Sequence, residues 1–181
     1  QFTHFYFSSI LAGIEEEASA RGYQLMVAQS NENYEREVKI CKSFYENKVC
    51  GVIVSQAKNT TKFDHFQFLV DQHIPLVFYD RVSIGVNASR VVIDDYMGAF
   101  SAVNHLINTA YYGLSMNLEI GKNRYNGYRD ALLKHGIQPD EQLIRMCDNR
   151  SDAESITPDL LNFQNPPDAF FAVNDETALG I

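Results

Sequence analysis

Positive charge is scarce in this chain. Fifteen Lys and Arg face 23 Asp and Glu across 181 residues, for a formal net charge of -8, which speaks against this segment gripping a nucleic-acid backbone by itself. Long apolar runs are missing too. None approaches the roughly 18 residues that cross a bilayer, and no signal peptide opens the chain, so a cytoplasmic location and no membrane partner are expected. Cysteines number three, Cys41, Cys50 and Cys147, scattered and odd, as free thiols in a reducing compartment would be. Three Asn-x-Ser/Thr triplets, at Asn59, Asn87 and Asn149, fit chance in an Asn-rich chain.

Signatures of bond-making chemistry are equally sparse. Gly121-Lys122 lacks the upstream glycine and the following hydroxyl of a phosphate loop, and no serine sits in a G-x-S-x-G turn. The five histidines (4, 65, 73, 105, 135) form no HExxH pattern and no Cys/His cluster, and each is expected at the surface or at a helix cap. Glu15-Glu16-Glu17 reads as a solvated helix face. Asp94 and Asp95 read as helix caps, with a site role left open by their place beside strand ends. No catalytic residue, metal ligand or cofactor is assigned. A binding module fits better than an enzyme.

What the chain does have is alternation. Ser8 or Ser9 can cap a helix carrying Ile10, Leu11, Ile14 and Ala18 at helical spacing, closed by Gly22. Tyr23 to Ala28 reads as a strand. A helix with Tyr34, Val38, Cys41, Phe44 and Tyr45 on one face follows. Gly51 to Ser55 reads as a buried strand, Phe63 to Asp71 as a helix, and Ile74 to Tyr79 as a buried strand ending at Asp80-Arg81. Val91-Val92-Ile93 leads into a helix capped by Asp94-Asp95. Further helices are predicted over Arg124 to His135, with Gly136 as the stop, and around Ser151 to Phe163 despite Pro158. Ala169 to Val173 reads as a strand buried on both faces, passing Asn174-Asp175 into a last helix. Strands separated by helices of 10–15 residues mean βαβ units and a parallel sheet. Gln1-Phe2-Thr3-His4 looks like the polar exit of a strand whose body is absent. At Ile107 to Tyr112 a helix meets a strand with almost no connection, as if residues were missing there.

Several of these segments fall in one register. His4-Phe5-Tyr6-Phe7 with Gly13-Ile14-Glu15 resembles the "N-P-F-F-x-x-x-x-x-G-I-E" opening of the effector-binding core of LacI/GalR-type bacterial transcription regulators. Val49-Cys50-Gly51-Val52-Ile53 is similar to "V-D-G-I-I", and Ile74-Pro75-Leu76-Val77-Phe78-Tyr79-Asp80-Arg81 to "I-P-V-V-x-x-D-R". Val92-Ile93-Asp94-Asp95 with His105-Leu106-Ile107 resembles the helix that follows. Arg124-Tyr125-Asn126-Gly127-Tyr128 matches "R-x-x-G-[FY]", and Ala172-Val173-Asn174-Asp175 with Ala178-Leu179-Gly180 matches "A-x-N-D-x-x-A-x-G". The likeness spans nearly the whole chain. His4-Phe5 and Cys50 depart from it, and the Gly-x-x-Lys/Arg-Ile segment after Ile107 is missing.

The resemblance implies an α/β fold of the two-lobe periplasmic-binding-protein type I-like kind, with parallel doubly wound sheets and flanking helices. The first strand and the end of the second lobe would be absent. Residues 1–109 would form the N-terminal lobe and 110–181 part of the C-terminal lobe. A small-molecule effector, a sugar first, would lie in the interlobe cleft. Tyr6 and Phe7 would wall it with Ile10 behind, Asp80 would accept ligand hydrogens, Arg124 would donate in a fork, and Asn174 would both donate and accept. Each also has a bland reading: Tyr6 and Phe7 as a helix-entry staple, Asp80 as a turn residue, Arg124 as an ion-pair partner, Asn174 as an N-cap. Asp175 reads as the cap rather than a contact. Function would be ligand-controlled transcription by a homodimer, with operator DNA bound through a helix-turn-helix domain absent from this chain. The alternative is an extracytoplasmic solute-binding protein of a sugar transporter.

Overall fold

The computed structural model describes residues 5–106 and 109–181. The strand exit expected at Gln1 to His4 lies outside the described residues, as do Ile107 and Asn108 at the suspected break. Helix and strand alternate: α1 (Phe5–Ala20), α2 (Tyr34–Glu46), β1 (Val52–Val54), α3 (Asp64–Asp71), β2 (Leu76–Tyr79), β3 (Ser89–Val91) and α4 (Asp95–His105) come first. Then follow β4 (Thr109–Gly113), α5 (Glu119–Lys134), β5 (Ile144–Met146), α6 (Arg150–Leu161), β6 (Ala169–Ala172) and α7 (Asp175–Ala178). Gly22 and Gly136 take left-handed φ of 78° and 72° just past α1 and α5, as helix stops do.

The strands form two parallel sheets. In the first the order is β1-β2-β3, with Val52 beside Leu76 and Phe78 beside Arg90. In the second the order is β5-β4-β6, so the earliest strand lies centrally and the chain winds to both sides of it. That reversal opens a crevice beyond the carboxyl ends of β4 and β6, where open α/β sheets hold ligands.

One core covers one face of the first sheet. Val52, Leu76 and Phe78 pack there against Cys41 of α2 and Phe66 and Leu69 of α3. The opposite face is partly open, and Ile53 is 50% exposed, so β1 is half-buried rather than the buried strand expected. The strand buried on both faces is β4, the central one. Tyr111 faces a core with Tyr128 and Val103, and Tyr112 faces another with Leu143 and Leu160. Edge strand β6, expected to be buried on both faces, is only partly covered.

Three other expectations are corrected. Tyr23 to Ala28 is not a strand, and Tyr23, Met26 and Val27 are more than half exposed. A parallel strand needs a neighbour to complete its ladder, and none lies beside this segment among the described residues. Ser8 and Ser9 sit inside α1, which begins at Phe5. Helix α5 starts five residues before Arg124, because Ser115-Met116-Asn117-Leu118 turns the chain straight into it.

Candidate ligand-binding site

On the first sheet the polar groups gather at the exit of β2. Tyr6, in the first turn of α1, donates its hydroxyl to Asp80 Oδ1 at 3.3 Å. Phe7 is buried, edge-on to Tyr6 and Tyr79 with ring centroids 5.2 and 6.4 Å away. Ile10 lies one turn further along α1, partly buried. Asp80 takes φ 57°, a left-handed conformation that a short polar residue tolerates and that gathers at functional sites. Burial raises the Asp80 carboxyl above its ordinary value; Arg81 and Arg124 pull it back in part, and Asp95 adds to the rise. Burial and the neighbouring Asp80 carboxylate push the Tyr6 phenol up to about 12.

Arg124 stands across from them on α5. Its Nε donates to Asp95 Oδ1 at 2.8 Å and its Nη1 to the Val173 carbonyl. The tandem Asp94-Asp95 divides its labour. Asp94 caps α4 by accepting from the Met97 amide at 2.9 Å, which leaves Asp95 free to take the guanidinium. Gly127, one turn beyond Arg124, makes this meeting possible. A Cβ there would lie 2.4 Å from the Tyr96 carbonyl oxygen and 2.9 Å from the Phe100 amide, so only glycine lets α5 approach α4 closely enough.

Asn174 corrects the expected capping scheme. Its Oδ1 accepts from the Thr177 amide at 2.8 Å, so Asn174, not Asp175, is the N-cap of α7. Its Nδ2 donates to the Asp148 carbonyl at 3.1 Å. The structure thus brings Tyr6, Phe7 and Asp80 into one contact group and puts Arg124 beside Val173, the residue before Asn174. Ile10 joins neither by a hydrogen bond.

A third group was not legible as a site. Lys58, four residues past β1, pairs with Asp148, two past β5, at 3.2 Å, so the carboxyl ends of the two sheets are joined by one ion pair. Glu32 holds this arrangement from behind. It accepts from the Lys58 amide at 2.7 Å and from Arg81 Nη1 at 2.7 and 2.9 Å. Glu37 fixes the rest of the loop: its buried carboxylate accepts from the Ala57 amide and the Thr60 hydroxyl, each at 2.6 Å, and meets His65 Nε2 at 2.9 Å. His65 is therefore a buried partner of Glu37, not the surface or capping residue expected. Glu37 stands one turn before Cys41 on the covered face of α2, which was the available signal. Lys58, Asp148 and Glu32 meet only through the fold.

Two surface cavities, of about 400 and 360 Å³, lie elsewhere, one beside α6 and the end of the chain, the other between α2 and α3. Neither touches Asp80 or Arg124, and neither has charged groups converging on it from two sheets. The strand-end cluster is the better site on those grounds. Among the described residues no group of three or more His, Cys, Asp or Glu could hold a metal. No helix there is long and apolar enough to cross a membrane.

Two parallel sheets with polar groups meeting at their carboxyl ends define the class: a periplasmic-binding-protein-like α/β fold. The chain belongs to the family described as periplasmic binding proteins and the sugar-binding domain of the LacI family, whose profile matches residues 1–181. It is 25% identical to the HTH-type transcriptional regulator DegA of Bacillus subtilis over 96% of this chain and 53% of that protein. It is 26% identical to the HTH-type transcriptional repressor PurR of Vibrio atlanticus over all of this chain and 56% of that one. The chain thus spans about half the length of these relatives, which are regulators and not enzymes. Among solved structures, the regulator CcpA of Lactococcus lactis superposes with a TM-score of 0.88 at 22% identity, covering 99% of this chain and 67% of that one. A LacI-family regulator of Lactobacillus casei with bound glucose gives 0.81 at 23% identity over 99% and 70%. The Cra regulator of Pseudomonas putida with fructose 1-phosphate gives 0.81 at 20% identity over 96% and 66%.

Proposed function

We propose that this chain is the effector-sensing core of a cytoplasmic, ligand-responsive transcriptional regulator. Residues 1–109 serve as one lobe and 110–181 as part of the other. A small molecule, first a sugar or sugar derivative, lies between them. Tyr6 and Phe7 offer an aromatic wall, Asp80 accepts ligand hydrogens, Arg124 donates, and Asn174 contributes its exposed amide. Ile10 backs the wall. Operator DNA is bound by a helix-turn-helix domain outside this chain, in a homodimer. Two fold neighbours hold a sugar ligand, fructose 1-phosphate in one and glucose in the other, and the HTH-type relatives favour a regulator over a solute-binding protein.

The observation that carries this reading is the cross-sheet cluster itself. Groups from α1, β2, α4, α5 and the end of β6 converge where a ligand touching both lobes would change their relative placement. A ligand that prefers one placement shifts the equilibrium by its differential affinity, typically about 1–3 kcal/mol between coupled sites. The test is a mobility-shift titration of the full-length protein on its own upstream DNA, with and without a sugar panel. One sugar is expected to change operator affinity by about fivefold or more, and Asp80→Ala to abolish that response while leaving basal DNA binding intact. DNA binding indifferent to every ligand, or a response unchanged in Asp80→Ala, overturns the reading.

A further inference from the structure

The cations around the cluster are already committed to carboxylates. Arg124 is held by Asp95 at 2.8 Å, with the two side chains 20% and 7% exposed. Arg81 is held by both oxygens of Glu32 at 2.7 and 2.9 Å. Lys58 is held by Asp148 at 3.2 Å. Arg150, at the start of α6, is tied to Glu154 at 2.7 Å.

The carboxylates are not balanced in the same way. Asp80 has only the Tyr6 hydroxyl at 3.3 Å and is in no ion pair among the described residues. Asp94 spends one oxygen on the cap of α4. The amino-terminal ends of α4 and α6, where backbone amides would welcome an anion, carry Asp95 and Asp152 in their first turns.

We propose that this site takes an uncharged or amine-bearing polyhydroxylated ligand and rejects phosphorylated and carboxylated ones. The inference rests on the cleft assignment above and deepens it. An incoming phosphate can reach the remaining N–H groups of Arg124 or Arg81, but Asp95 and Glu32 already neutralise those cations, and taking the whole guanidinium would leave either carboxylate unpaired and poorly solvated. It must also sit near Asp80 and Asp95, and like charges at close range repel. A neutral hydroxyl meets no such penalty. It donates to Asp80 and accepts from a guanidinium edge without breaking the ion pair. An ammonium gains more, because Asp80 is in no ion pair among the described residues.

The test uses matched probes on the full-length protein at low ionic strength: glucose, glucosamine and glucose 6-phosphate, then ribose and ribose 5-phosphate, by calorimetric titration. In the series that binds, the neutral or amino member is expected to bind at least about tenfold tighter than its phosphorylated counterpart. Asp95→Asn, which frees the Arg124 guanidinium while keeping an oxygen acceptor, is expected to gain a thermal-shift response to inorganic phosphate that the wild type lacks. A phosphorylated member that binds as well or better, with binding lost in Arg124→Ala, overturns the charge selection and leaves the cleft assignment standing. So does an Asp95→Asn protein that folds but shows no gain for phosphate. Binding undiminished in both Asp80→Ala and Arg124→Ala, or no binding by any probe, overturns the cleft assignment and this inference with it.

Discussion

Arg124 donates its Nε to Asp95 at 2.8 Å while its Nη1 reaches the Val173 carbonyl, so one side chain ties the start of α4 to the exit of β6. The first sheet delivers Asp95 through β3, and the second delivers Val173. Helices α4 and α5 pack directly on each other, with Val103 of α4 in the core of the second sheet, so the link fixes the start of α4 to that sheet. Removing the carboxylate leaves a mostly buried guanidinium without its counter-ion. Asp95→Ala is therefore expected to lower stability by about 1–3 kcal/mol, measured by urea unfolding. Asp95→Asn, which retains an acceptor, should lose less.

The crossing at Gly127 is tight enough to give a clean steric test. A methyl group there would press on the Tyr96 carbonyl oxygen, backbone that cannot swing aside. Alanine is the better helix former by about 1 kcal/mol, so propensity alone would make Gly127→Ala stabilising. Overpacking opposes it at about 1–3 kcal/mol, and more where backbone must shift. The expected outcome is net destabilisation in thermal melts, together with weaker ligand binding because Arg124 moves with α5.

Glu37 is the buried anchor of the loop that carries Lys58. Its carboxylate accepts two hydrogen bonds at 2.6 Å and meets His65 at 2.9 Å. Truncation leaves the Ala57 amide, the Thr60 hydroxyl and the His65 ring unsatisfied together. Glu37→Ala is expected to cost about 3–5 kcal/mol, as the loss of one member of a buried polar set does. The local signature is faster hydrogen exchange at the Ala57 amide, which distinguishes loop release from general weakening.

Asp80 gives a pH dependence with a definite sign. Burial disfavours its charged form, so the folded chain holds that proton more tightly than the unfolded chain does. A carboxyl raised in this way contributes stability below its ordinary value of 3.8, and loses it as pH climbs through the raised value. The melting temperature of the wild type relative to Asp80→Asn is expected to fall over that rise. A wild type that gains on Asp80→Asn as pH climbs would mean that the nearby arginines outweigh burial.

The thiols separate by exposure. Cys41 and Cys147 are buried and Cys50 is exposed. Burial pushes the Cys41 thiol up to about 12, with Glu37 adding to it, and burial raises Cys147 as well. Since the thiolate is the reactive form, a thiol-exchange reagent is expected to titrate one cysteine rapidly in the native protein and all three after denaturation. Cys50→Ser should abolish the fast phase.

How much of this was legible in the chain depended on how local each determinant is. Helix stops, the Asp94 cap and the parallel alternation rest on a few neighbouring residues, and they were read from the pattern. The Tyr23 to Ala28 segment has the composition of a strand but no partner beside it among the described residues, and pairing is not a local property. Ala169 to Val173 is the more apolar run, yet the strand order puts β4, Thr-Ala-Tyr-Tyr-Gly, at the centre. At the site, the family likeness pointed to Asp80 and Arg124, and neighbours in space supplied the rest. Asp95 could have been suspected from the tandem aspartates, since one helix needs one cap. Lys58 and Asp148 lie 90 residues apart and carry no local pattern to connect them.

The most direct test of the central claim, that a ligand is held between Asp80 on one sheet and Arg124 on the other, is isothermal titration of the full-length protein with its tightest-binding sugar. The same titration is run on Asp80→Ala and Arg124→Ala. Each substitution is expected to weaken binding by about tenfold or more, as loss of a hydrogen bond to a charged group does, with circular dichroism spectra unchanged. Equal affinity in the wild type and both folded variants would contradict it.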